Sequence, residues 1–335
     1  MGRWQALEIV EPCIDETKKL LFPIRRGYWL KLALVTLLGG IGTGGAFGFG
    51  NPFQSLGNPR FQEDPELAAL VERLGDFLAQ NTGVILIAMG LLFLFILFLS
   101  YLHSVMQFVF FQDVVEGGVE LLGDIRRHLG RGLSLFVFGL VLWVAMLLFM
   151  ALGALPLLLI VSVDAGPFAT IMGMMSMMIF TVAVVLLSAL AYLLAVDFAV
   201  PIMFFKGKGI WASYSEVLRL IKKDVWQFVV YIILRVVLGI AGGILYMLIT
   251  IPVMVLWALV IGVLGIVALA GAGSLGITLG GIGPLGWILI LTVLFLILIL
   301  FSYTVKVLTL PIPVYLRLYS FTFLMTQDKA LTAGK

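Results

Sequence analysis

The stretch VWQFVVYIILRVVLGIAGGILYMLITIPVMVLWALVIGVLGIVALA, residues 225–270, decides how this chain folds. This apolar tract of 46 residues is more than twice the ~20 that an α-helix needs to cross a ~30 Å hydrocarbon layer. Two crossings here would give seven spans and carry the C-terminus to the far side. A repeat in the flanking sequence argues for one. RRGYW at 25–29, RRHLG at 126–130 and KKDVW at 222–226 align as three openings of apolar runs, and Pro156 and Pro252 then fall at the same offset, 26 residues past Gly130 and Trp226. A proline frees a backbone carbonyl and bends a helix. The shared offset therefore predicts one long kinked span, whose outer extension over 252–284 returns to the last helix as a membrane-embedded turn through GAGSLGITLGGIGPLG.

Composition fixes the class. Of 335 residues, 62% are hydrophobic and 12% are charged, against about 25% charged in a soluble domain. The chain reads as an all-α integral membrane protein, a single membrane domain over 1–335. Six transmembrane helices are expected at about 29–49, 83–111, 133–161, 168–202, from 225 onward, and about 285–307. A membrane barrel would alternate lipid-facing and lumen-facing residues, whereas these runs are apolar on every side.

Basic residues set the expected orientation, because they are retained on the cytoplasmic side. Arg3, Lys18, Lys19, Arg25 and Arg26 precede the first span. Arg126, Arg127 and Arg131 follow the second, and Lys206, Lys208, Arg219, Lys222 and Lys223 follow the fourth. The tail carries Arg317, Lys329 and Lys335. Both termini are thus expected in the cytoplasm of a multipass plasma-membrane protein. The first 28 residues lack an apolar core followed by a small-residue cleavage site, so the first span is expected to serve as an uncleaved insertion signal.

Each even-numbered span ends in a tyrosine followed by apolar and proline residues: YLHSVMQFVFF from Tyr101, YLLAVDFAVPIMFF from Tyr192 and YTVKVLTLPIPVY from Tyr303. With the three openings, this gives three tandem hairpin repeats at 5–112, 113–207 and 211–325. The connectors carry apolar groups at helical spacing. Trp211, Tyr214, Leu218 and Ile221 form one stripe, and Val114, Val115, Val119, Leu122 and Ile125 another. Residues 7–22 and the final LRLYSFTFL look alike. These segments predict amphipathic helices lying in the interface. In the outer loop 50–82, Asp64 and Pro65 make a cap and first turn. Leu67, Leu70, Val71, Leu74, Phe77 and Leu78 then form an apolar stripe.

Catalytic residue types are sparse. Cys13 is the single cysteine, and His103 and His128 are the only histidines, neither with a partner at metal-ligand spacing. No cofactor, no metal and no nucleic acid partner is expected. Gly40, Gly42 and Gly45 match G-x-G-x-x-G, but that fingerprint needs a preceding strand and a following helix. Gly40 with Gly44, and Gly239 with Gly243, are read instead as sites of close helix approach. MGMMSMM at 172–178 offers Met174, Met175 and Met178 as thioethers for Cu(I). Methionine also fills cores, and no second methionine layer is evident.

Charges inside the spans are the sharper signal. Nine residues of helix from Trp226 carry Arg235 roughly 13 Å inward, too deep for comfortable exposure to lipid. Asp197 lies at comparable depth in the fourth span, and Lys306 and His103 join it as candidates. A buried Asp197–Arg235 pair would neutralise both charges and fix helix register. The same pair lining a hydrated cavity would bind an anionic headgroup.

The segment AVDFAVPIMFFKGKGIWASYSEVLRLIKKDVWQF resembles the connector of multipass proteins related to the membrane domain found ahead of some glycerophosphoryl diester phosphodiesterases. TLPIPVYLRLYSFTFL is similar to the C-terminal end of archaeal members of that group. These motifs cover about a third of the chain, and the phosphodiesterase domain itself is absent. The resemblance implies a six-span fold and lipid association, and it implies no hydrolase. The expected function is accordingly a noncatalytic membrane protein that binds lipid or organises partners, a membrane protein or a second copy of itself. The alternative is a transporter or channel for a small solute or ion that uses the Asp197/Arg235 region.

Overall fold

The computed structural model describes residues 4–41, 82–163, 166–274 and 284–328, and every element among them is helical. Two short helices, α1 (Gln5–Glu8) and α2 (Val10–Leu21), lead into α3 (Arg26–Leu38). The long helices α4 (Thr82–Glu116), α5 (Leu121–Ser162) and α6 (Pro167–Leu194) follow. A π-helical turn, Ala195–Ala199, joins α6 to α7 (Val200–Lys206). Then come α8 (Ile210–Lys223), α9 (Val225–Ser274), α10 (Pro284–Thr309) and α11 (Pro311–Gln327).

Among the described residues, five stretches are long and apolar enough to cross a membrane: Ile85–Glu116, Leu121–Ser162, Pro167–Lys206, Val225–Ala268 and Ile288–Thr309. The expected first span departs from this set. Its helix ends at Leu38, and Gly40 takes a left-handed conformation, φ +55°, that glycine adopts without strain. Thirteen residues rise only about 20 Å, short of the ~30 Å layer. Residues 42–49 lie outside the described residues, as does the outer-loop helix expected at 64–78. The tract that decided the reading is one unbroken helix through Pro252, with no reversal between 225 and 274. The turn expected beyond Pro252 is therefore helix as far as Ser274, and 275–283 fall outside the described residues.

The spans are packed unevenly along their length. Buried residues concentrate near the ends that sequence charge places inside: Val105–Val114 of α4, Asp124–Phe138 of α5, Leu194–Met203, Phe228 and Tyr231 of α9, and Leu310–Leu324. The opposite ends of the same helices present leucine, isoleucine and phenylalanine outward, as from Leu86 to Leu99 in α4. Outward apolar surface is stable only where the surroundings are also apolar, so the arrangement is a packed helical base from which apolar helices project into lipid.

Two connectors differ from expectation. Residues 114–125 form no interfacial helix, because α4 runs on to Glu116, Gly117 turns at φ +69°, and α5 begins at Leu121. The C-terminal LRLYSFTFL does not lie at the surface. It belongs to α11, whose Val314, Arg317, Tyr319, Ser320, Phe323 and Leu324 are buried at the centre of the base against α2, α9 and the π-turn. Its Tyr319 donates to the Ala6 carbonyl and Tyr315 to that of Val10. α8 does behave as expected: Ile210, Ser213 and Val217 pack on the protein, and Trp211 and Leu218 face out. Trp29 and Trp226, aligned in the repeat, diverge. Trp29 turns inward and donates to the Leu21 carbonyl at 2.8 Å, whereas Trp226 is 77% exposed.

A charged latch ties the end of α7 to α8 and to the end of α11. Lys206 donates to Glu216 and to Asp328, and Lys208 also donates to Glu216. Burial opposes the charge on Glu216, but the two lysine hydrogen bonds outweigh it and hold its carboxyl below the ordinary 4.5. A carboxyl depressed by folding stabilises the folded state above its unfolded value and loses that contribution as pH falls. Stability should therefore decline as pH drops below about 4.5, and Glu216→Gln should flatten that part of the profile. An unchanged acid profile in the variant would show that the latch contributes nothing.

Close approach of α4 and α5 depends on Gly132. A Cβ there would sit 2.4 Å from Val105 Cγ2 and 2.8 Å from Val105 Cα. Backbone cannot move aside as a side-chain tip can, so Gly132→Ala should cost about 1–3 kcal/mol, as overpacked cores do. SDS-driven unfolding compared with wild type checks this, and a cost near zero would refute the close contact.

Candidate functional site

A cavity of about 380 Å³ opens in the base, lined by Gly40 and Ile41, by α4 through His103, Gln107 and Phe110, and by α6 and the π-turn through Ala189, Tyr192 and Asp197. Arg235, Gly239, Gly242 and Gly243 of α9 and Pro313, Leu316 and Arg317 of α11 close the other side. The segments following Tyr101, Tyr192 and Tyr303 thus each supply a wall.

The charged centre is built by the local sequence AVDFAVP. In a π-turn the N–H of residue i+5 serves the carbonyl of residue i, and here the Val200 N–H donates to the Ala195 carbonyl. The next donor would be residue 201, but Pro201 has no N–H. The Val196 carbonyl is left without its intrahelical donor in the interior. Arg317 fills the gap: its Nη1 donates to the Val196 carbonyl at 2.7 Å, and its Nη2 to the Gln107 carbonyl at 3.0 Å. One guanidinium thereby joins α4, the π-turn and α11, with Phe111 beneath it at 5.5 Å.

The widened turn also directs Asp197 inward, where it is 3% exposed. Its Oδ2 accepts from Arg235 Nε at 3.0 Å and from the Tyr231 hydroxyl at 2.9 Å. Its Oδ1 lies 4.0 Å from Arg317 Nη1. The Tyr231 hydroxyl is also 2.8 Å from that of Ser320, which lies 2.9 Å from the Leu316 carbonyl. Tyr231 is held by stacking between Tyr319 and Phe323. One carboxylate thus faces two guanidinium groups, and the site carries one unit of excess positive charge.

Of the four residues the sequence proposed, three meet here. Asp197 and Arg235 pair directly, and His103 lines the same cavity, 3.4 Å from Gln107. Lys306 stands behind the wall: its Nζ donates to the Ile41 carbonyl at 2.6 Å and so holds the chain that lines the cavity. Arg317 was read as a cytoplasmic tail charge and is instead the most enclosed cation of the site. Its available signal was Pro201, which demands a replacement donor nearby. Tyr231 and Ser320 carried no signal, since each is an ordinary residue on an apolar face. Gly239 and Gly243 do not bring helices together as expected. They border the cavity, and the close approach belongs to Gly242, where a Cβ would lie 2.8 Å from Ile312 Cγ2.

Met174, Met175 and Met178 are on the outward surface of α6, each about half exposed or more. Among the described residues, no group of three histidine, cysteine or carboxylate side chains is placed to hold a metal ion. The arrangement is suited to holding an anion beside a buried guanidinium.

Searches among curated proteins and among solved structures each returned no match. A model for a family of unknown function, DUF7544, matches residues 4–333. The match covers nearly the whole chain, and the protein belongs to that family.

Proposed function

We infer that this chain is a noncatalytic multipass membrane protein whose helical base binds lipid. One observation carries the reading: a cavity with excess positive charge lies between helices that project into the bilayer, and α6 and α9, which both line it, make few direct contacts with each other. An aqueous ligand site needs a path from water, whereas a gap between two lipid-facing helices admits a molecule already in the membrane. The resemblance to the membrane domain that precedes some glycerophosphoryl diester phosphodiesterases points the same way. In this reading the three hairpins are tandem repeats, both termini are cytoplasmic, and the base lies toward the inner leaflet of the plasma membrane.

The test is to purify the full chain in a mild detergent and count co-purifying phospholipid by native mass spectrometry. Lipid should survive detergent exchange at a defined stoichiometry. Complete loss on the first exchange would count against the reading. The buried charges favour a transporter using the Asp197/Arg235 region as the second reading. Solute or ion flux in proteoliposomes, abolished by Gly239→Leu, would support that alternative.

A further inference from the structure

The position and chemistry of Arg235 narrow the ligand, granted the lipid-binding reading above. We propose that the cavity holds the phosphodiester of one inner-leaflet glycerophospholipid against the Arg235 guanidinium, with the acyl chains leaving between α6 and α9. The shared chemistry recognised is a singly charged phosphate-type oxyanion, and the lipid is its source.

Four observations support this assignment. Asp197 engages Arg235 through Nε and Tyr231 also hydrogen-bonds its side chain, and the guanidinium fork keeps further N–H donors, with Nη1 toward Gly239, for a second acceptor. Of the ionised lining groups, Asp197 offsets one arginine and leaves one positive charge, the complement of a phosphodiester with an uncharged headgroup. Gly239 and Gly243 follow Arg235 at four and eight residues, one and two turns on along the same face. A Cβ on Gly239 would meet only Arg235 Nη1, at 4.0 Å, and one on Gly243 would meet nothing within 4 Å. A bare strip therefore runs from the charge along α9.

The direction of the strip matters. Gly243 lies about 12 Å beyond Arg235 along α9, and Ala189 lies about 12 Å beyond Asp197 on the antiparallel α6. Both displacements run from the base toward the projecting apolar helices. A molecule with its phosphate at Arg235 and its tails along the strip has the polarity of an inner-leaflet lipid. A volume near 380 Å³ is at the small end of ligand pockets, about 300–1,000 Å³. It suits a headgroup with the glycerol and first methylenes rather than a whole lipid.

The experiment uses the full chain, stripped of lipid and titrated in micelles with dioleoylphosphatidylglycerol under native mass spectrometry. One tight lipid should bind wild type. Gly239→Leu, which fills the strip beside Nη1 and keeps the Asp197–Arg235 pair, should weaken it at least tenfold. Gly262→Leu, on the open outer part of α9, should leave it unchanged. Protection of Cys13, which is buried, from maleimide reports that each variant is folded. Gly243→Leu repeats the test should Gly239→Leu lose that protection. Dioleoylglycerol, without phosphate, should bind at least tenfold more weakly, and equal binding would overturn the phosphate assignment. Displacement by millimolar inorganic phosphate would make the source a soluble anion and overturn the lipid assignment. Undiminished lipid in both glycine variants would overturn the cavity assignment while leaving lipid binding intact. No bound lipid in wild type would overturn both.

Discussion

Asp197→Asn should lower the unfolding free energy by about 3–5 kcal/mol, the cost of breaking a buried ion pair from one side. The amide keeps the shape of the carboxylate, so packing around the π-turn survives the change. The loss is electrostatic: Arg235 and Arg317 would then face each other across a neutral group, with the Tyr231 hydroxyl donating to a weaker acceptor. Cys13 offers a direct readout. It is the only cysteine and is fully buried, and burial raises its thiol pKa, with the Thr322 hydrogen bond opposing in part. A buried, protonated thiol is inert, so its labelling by maleimide tracks opening of the base. Labelling of Asp197→Asn should be faster by two orders of magnitude or more. Adding Arg235→Gln should recover part of the loss, since it removes one of the two unbalanced cations. A single variant that labels at the wild-type rate would mean that the pair does not form in the membrane.

Arg317→Met should be nearly as damaging, at about 3 kcal/mol, by a different route. The methionine fills most of the volume, but the Val196 carbonyl loses its donor, which costs about 1–3 kcal/mol in an interior, and Asp197 loses its second cation. Arg317→Lys separates the two contributions. The ammonium restores the charge, but it lacks the planar fork that reaches the Val196 and Gln107 carbonyls together. Stability of the lysine variant should fall between wild type and Arg317→Met. If lysine fully restores stability, the carbonyl contacts contribute nothing and charge alone matters.

Much of the architecture was legible in sequence because hydrophobic run length has few interpretations. The five apolar stretches fall where the runs do, and the unbroken Val225–Ser274 helix matches the single-span reading. The expected span at 29–49 is described only to Ile41: Gly39 and Gly40 end α3 within the apolar run, and hydropathy does not register a backbone turn. The C-terminal helix was misplaced because LRLYSFTFL has the same amphipathic pattern whether its polar side meets water or a buried carboxylate. That ambiguity hid Arg317. Asp197 and Arg235 stood out because a charge amid apolar residues needs a partner, and these two were at matching depths. Tyr231 and Ser320 could not be found that way, since hydroxyl groups cost little on an apolar face.

The π-turn has one more consequence. A π-turn is an α-helix carrying one surplus residue that the wider turn absorbs locally, so deleting a single residue from Ala195–Ala199 would restore regular winding with the flanking helices kept in register. Asp197 would lose the widened turn that directs it inward, while the carbonyl four residues before Pro201 would still lack its intrahelical donor. The charged cavity is therefore one codon deep. A lineage could acquire it or discard it in a single insertion or deletion, with the apolar spans and their membrane topology passing through the event untouched.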